Sequence, residues 1–115
     1  MTVKPNGSAR QAHYTLGQVV RHKYLDFRGV IFDVDPKFNN TEEWYQAIPV
    51  QFRPDKKQPF YHLFAENEEA FYTAYASQQN LMLDEDAAPI DHPDIDKYFS
   101  GYSNGTYQVK DSIRN

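Results

Sequence analysis

The sequence predicts a mainly β fold: a small SH3-like, partly open antiparallel barrel of about five strands with one or two short helices. Three observations carry this. Short apolar stretches, alternating or continuous, recur between Gly, Pro, Asn and Asp punctuation. Nine tyrosines, eight phenylalanines and one tryptophan in 115 residues supply the large rings that favour strands. The clearest helical signal, after Asn40, is cut off by Pro49 within about two turns. The length is that of one domain, which buries roughly two-thirds of its unfolded surface.

Residues 1–13 are polar, contain Pro5 and Gly7 and lack apolar periodicity, so a flexible N-terminal arm is expected there. The domain is expected over residues 14–99. Gly17 opens a first strand at 19–24, and 25–28 connects it to a second in an antiparallel pair. In that second strand Val30, Phe32 and Val34 alternate with Asp33 and Asp35, placing the apolar set on one face and the carboxylates on the other. Ile31 breaks the alternation, as expected where a strand is covered on both faces.

Pro36 ends the strand because it cannot donate to a ladder. Asn40 and Glu43 have the spacing of a capping box, and Trp44, Ala47 and Ile48 form an inward stripe on the short helix that follows. Trp44 is expected to enter the core, with Tyr45 facing a neighbouring subunit. Pro54 and Pro59 bracket an exposed loop. Further strands are expected at 60–65 and 70–76, and 80–83 is a short fifth apolar segment that closes the sheet or caps its end. Pro93 suits the first turn of a helix that puts Ile95, Tyr98 and Phe99 on one side. Asn104-Gly105 is a hairpin signal, but its flanks are short. Residues 100–115 are therefore expected as a C-terminal tail, partly disordered.

The chemistry is sparse. With no cysteine, disulfides, thiolate nucleophiles and thiolate-bound zinc are excluded. Asp33, Asp35 and Asn39 begin a calcium-loop pattern that then fails: Phe38 stands where the loop needs glycine, Lys37 where it needs a ligand, and Trp44 where it needs a bidentate glutamate. His13, His22, His62 and His92 are scattered, and a meeting of His22 with His62 would lack a third ligand. No Gly-rich phosphate loop and no nucleophile-elbow serine occurs. No catalytic, cofactor-binding or metal-binding residue is assigned, and the chain is expected to be no enzyme and to use no cofactor.

Binding is left. The formal charge is −4, yet residues 1–57 carry nine basic against six acidic residues, and residues 58–115 three against ten. Arg21, Lys23 and Arg28, gathered around the first hairpin with Lys56 and Lys57 as possible neighbours, are the candidate DNA-phosphate contacts. Tyrosines on the same surface would stack on bases. The same cations also suit a solvated strand face or a protected edge. No apolar stretch has the length of a signal-peptide core or of a membrane span, so a soluble, cytoplasmic protein is expected.

The blocks Gly17-Gln18-Val19-Val20-Arg21-His22-Lys23, Phe27 through Pro36, Asn39 through Trp44, Arg53-Pro54, Gln58 through Leu63, Ala65-Glu66-Asn67, Gln79-Asn80-Leu81 and His92-Pro93 occur in an order that resembles the bacterial HspQ heat-shock protein family, the YccV-like, hemimethylated-DNA-binding family. The resemblance spans about residues 14–99. It implies a barrel-like domain that self-associates as a homotrimer in the cytoplasm and acts without catalysis in heat stress. It further implies an adaptor or specificity factor for Lon protease, promoting degradation of selected or denatured proteins that include the replication initiator DnaA. The alternative it implies is a module that binds hemimethylated DNA. No catalytic residue is carried over from it.

Overall fold

The computed structural model describes residues 11–86 and 88–112. Seven strands occur among them: β1 Val19–His22, β2 Arg28–Asp35, β3 Phe60–Glu66, β4 Phe71–Ser77, β5 Leu81–Leu83, β6 Phe99–Ser103 and β7 Thr106–Val109. The first five form one antiparallel sheet in the order β4-β3-β2-β1-β5, and β6 and β7 form a separate hairpin. Two short helices, α1 Glu42–Gln46 and α2 Ile95–Tyr98, lie between strands. The mainly β architecture is as expected, with neither sheet closed into a barrel.

The five-stranded sheet is a wall between two cores. Val19, Val30 and Phe64 face one core, where Ile90, Ile95, Phe99 and Tyr107 cover them. Their alternating neighbours Val20, Ile31, Leu63 and Ala65 face the other, with Tyr61, Ala76 and Leu81. Ile31 is wholly buried, which explains the broken alternation at that position.

One expectation about β2 is corrected. The register slips between Ile31, paired with Leu63, and Asp33, paired with the next residue His62. Phe32, the extra residue of this bulge, keeps its ring stacked 4.1 Å from Phe64. Beyond it the faces exchange. Val34 packs on the second core opposite Tyr61, and Asp35 turns toward His62 and Tyr75. Val30, Phe32 and Val34 therefore do not share one face.

The cap of α1 also moves by one residue. Thr41, not Asn40, is the N-cap, its Oγ1 accepting from Trp44 N at 3.1 Å, while Asn40 Oδ1 accepts from Thr41 N at 2.7 Å. Glu43 is then too early to close a capping box, and the helix has five residues with none buried.

Residues 100–109, placed in the tail by the sequence reading, form the β6–β7 hairpin together with Phe99, expected as the end of the helix before it. Asn104 (φ 52°) and Gly105 (φ 82°) make a two-residue turn with both central φ angles positive, the geometry that Asn-Gly favours. Its short flanks are stabilised by docking: Gly105 O accepts from Val19 N at 3.0 Å, and Gln18 bridges to Thr106. The N-terminal arm lies mostly outside the described residues, but its last residues are held. Buried Gln78 accepts from His13 N at 2.8 Å and from the Tyr61 hydroxyl at 2.6 Å, and its amide donates to Gln11 O. No helix among the described residues is long and apolar enough to cross a membrane.

Candidate nucleic-acid interface

Of the three predicted phosphate contacts, Arg21 and Arg28 face each other across β1 and β2, while Lys23 lies past the end of β1, its amide donating to Asn80 O at 2.8 Å. Arg28 is turned inward. Its guanidinium bonds Glu66 at 2.9 Å and Asp84 at 2.8 Å and also donates to the carbonyls of Ala88 and Pro89. Such a bidentate, half-buried fork clamps the β3 end to the segment after β5. The cleft beside it, about 490 Å³, has five carboxylates (Asp26, Glu66, Glu68, Asp84 and Asp86) against Arg21 and Arg28. Its potential repels phosphate.

Arg21, at this cleft, is exposed and has no ion pair among the described residues, and further exposed cations lie outside the cleft lining. Lys23, Lys37 and Lys57 are exposed and unpaired among the described residues. Their segments are tied to the 3₁₀ turns Val50–Phe52 and Gln78–Asn80. Asn80 donates to Phe52 O at 3.1 Å, and Gln58 and Gln79 exchange bonds of 2.6 and 2.8 Å, so the elements carrying Lys23 and Lys57 are tied together. Lys37 joins them through Phe38, whose amide donates to Lys56 O. Lys56 and Arg53 serve the fold. Lys56 pairs with Glu42 at 2.6 Å and lies over the Tyr45 ring, and Arg53 donates to Ile48 O and Gln46 O at the end of α1.

Tyr45, the predicted subunit contact, packs within its own chain: its hydroxyl donates to Pro54 O at 2.6 Å. Trp44 is half-buried, edge-on to Tyr75. Between this insertion and β4 lies an apolar cleft of about 260 Å³ whose walls include Trp44, Phe52, Phe60 and Tyr72. His22 lines it too. Burial lowers the pKa of His22, and its Nδ1 accepts from Tyr24 N and Leu25 N at 3.1 and 2.9 Å, which leaves the proton of the neutral ring on Nε2.

His22 and His62 do not meet. They project from opposite faces of the sheet with β2 between their strands. His62 instead bonds Asp35 at 3.0 Å, and Asp35 accepts from the Tyr75 hydroxyl at 2.9 Å. Burial first, and Asp35 second, raise the Tyr75 pKa far above its usual value. That phenol is a fixed donor rather than a base.

The sequence offered little to mark Lys37 or the apolar cleft. Lys37 follows a strand-ending proline, and the cleft walls come from segments up to nearly sixty residues apart, so only tertiary structure assembles them.

Comparison with known proteins gives the family. Residues 12–106 match the YccV-like family, described as hemimethylated DNA-binding protein YccV like. F-box only protein 21 of Mus musculus is 33% identical over 101 residues, covering 87% of this chain and 16% of that protein. The Homo sapiens protein of the same name is 32% identical over 101 residues, covering 87% and 15%. The chain thus spans about a sixth of the length of these relatives. With the matched region running from before β1 into β7, the chain belongs to the YccV-like hemimethylated-DNA-binding family.

Proposed function

We propose that this chain is a non-catalytic recognition module for DNA methylated on one strand. Membership of the family carries the reading. The unpaired Lys23, Lys37 and Lys57, carried by segments bonded to one another, supply the phosphate contacts. The experiment is a titration of unmethylated, hemimethylated and fully methylated duplexes across a salt series, with wild type and with Lys23→Ala/Lys37→Ala/Lys57→Ala. Wild type prefers the hemimethylated duplex, and the triple variant flattens the slope of log K against log[salt] by about 2–3, as loss of three phosphate contacts requires. Equal affinity for all three duplexes, or an unchanged slope, overturns the reading.

A second reading is that the domain is an adaptor delivering selected or denatured proteins, DnaA among them, to Lon protease in heat stress, as a homotrimer in the cytoplasm. The open edge of β4, flanked by exposed apolar residues, supports it. Degradation of a Lon substrate timed with and without the protein tests it, together with sedimentation for the trimer. An unchanged rate removes the adaptor role, and a monomer removes the trimer.

A further inference from the structure

The backbone bonds that flank the β3–β4 ladder fix which groups of β4 face outward. Gln78 N donates to Pro59 O at 2.9 Å and Asn67 N to Ala70 O at 3.1 Å. With the continuous register between those points, Tyr61/Ala76, Leu63/Ala74 and Ala65/Tyr72 are the pairs that exchange ladder bonds. Phe71, Thr73, Tyr75 and Ser77 therefore turn their N–H and C=O away from the sheet. β4 is an edge strand, and none of these outward groups has a backbone partner among the described residues. Outward donors and acceptors at two-residue spacing match an extended chain.

Two clefts adjoin this region. The apolar cleft is lined by β4 from Tyr72 to Ser77 and contains the buried Ser77, whose Oγ has no hydrogen-bond partner. The acidic cleft is lined by Glu66, Asn67 and Glu68, at the turn that leads into β4. Leu25 and Phe27 line both, so the two form one continuous surface. Tyr24, Leu25 and Val50, on or next to that surface, are each at least half exposed, and Phe71, also half exposed, turns toward His92 on the other face of the sheet. An occupant must therefore offer an extended backbone, apolar side chains for one cleft and positive charge for the other. A nucleic acid matches none of the three, since its backbone is anionic.

We propose that the β4 edge captures an extended polypeptide segment in which apolar residues are followed or preceded by a basic run, adding it to the sheet as a sixth strand. The segment's backbone pairs with Thr73 and Tyr75, its apolar side chains enter the cleft beside Phe52 and Tyr72, and its cations meet Asp26, Glu68 and Asp86. This goes beyond the DNA reading and gives the adaptor reading a surface. Its test uses no protease, so the two fail separately.

The probe is a fluorescein-labelled peptide, GSVTFTLKRKG, read by anisotropy, with GSVTFTLEEEG as the charge-swapped probe. Thr73→Pro removes an outward N–H without touching the β3 ladder and should weaken binding at least tenfold, whereas Thr73→Val, which keeps the N–H, should bind as wild type. Leu25→Asp, at an exposed site, should weaken binding about tenfold. Asp26→Lys/Glu68→Lys should reverse the preference between the two probes. If Thr73→Pro does not fold, Leu25→Asp and the charge reversal decide. Wild-type affinity in Leu25→Asp, or no change of probe preference, overturns the proposal. So does displacement of the probe by a hemimethylated duplex, or loss of self-association as the sole effect of Leu25→Asp, which would assign the edge to DNA or to a second copy of the chain.

Discussion

Gly17 and Tyr107 meet main chain to main chain. Gly17 adopts φ +90°, accepts from Tyr107 N at 2.7 Å and donates to Ile31 O at 2.7 Å, and a side-chain carbon on it would fall on the Tyr107 carbonyl oxygen. This contact joins the hairpin β6–β7 to the start of β1. Gly17→Ala should cost about 3 kcal/mol, from the left-handed backbone and the clash together. Urea unfolding measures it, with Gly101→Ala as control: no atom lies within 4 Å of a side-chain carbon there, and the change should stay within about 0.5 kcal/mol.

His22 makes stability pH-dependent. Burial holds its folded pKa below the usual histidine value of 6.5, so the unfolded chain takes up the proton first. The contribution is fully present above pH 6.5 and is lost as pH falls through the lower folded value. Thermal melts between pH 7.5 and 5 should show the wild type losing stability on acidification, and His22→Gln losing less over the same window. A parallel decline in both would show that His22 is not the group responsible.

Arg28→Ala tests the inward clamp. Removing the guanidinium leaves Glu66 and Asp84 half-buried without their cation, which should cost roughly 2–3 kcal/mol. DNA affinity of the folded fraction should be unchanged, because Arg28 has no bonding capacity directed at solvent phosphate. A loss of DNA affinity without loss of stability would return Arg28 to the interface.

The C-terminal hairpin is structural. A chain cut after residue 98 loses Phe99 and Tyr107 from the first core, and with Tyr107 the hydroxyl that accepts from Ile90 N at 2.9 Å. Such a chain should bind 8-anilinonaphthalene sulfonate and unfold without a sharp transition. A cooperative melt near the wild-type temperature would contradict the two-core description.

The sequence disclosed those features that local physics decides. Period-two patterning and the punctuation of Pro36, Pro59 and Gly17 placed the five strands of the main sheet to within a residue or two, and Pro93 announced α2. The family resemblance was equally legible, through ordered blocks from Gly17 to Pro93. Tertiary choices stayed hidden. Asn40 and Thr41 both cap well in isolation, and only the chain path after Pro36 selects Thr41. Hairpin β6–β7 is too short to stand alone, so its order depends on Val19 and Gly17, some ninety residues earlier. Arg28 looked like a surface cation because the partners that draw it inward, Glu66 and Asp84, are distant in sequence.

The bulge at Phe32 makes β2 a matter of parity. On either side of it the same odd-or-even rule assigns a residue to opposite faces of the sheet, and the extra residue lets Val34 and Asp35 keep the faces that their pairing with Tyr61 and Phe60 demands. A regular ladder through the same residues would send Val34 toward the first core and turn Asp35 into the second, whereas deleting Phe32 removes the bulge and leaves the pairing of Asp33, Val34 and Asp35 as it is. Loss of this one residue should therefore cost the ring stacked on Phe64 and leave the register of the strand intact.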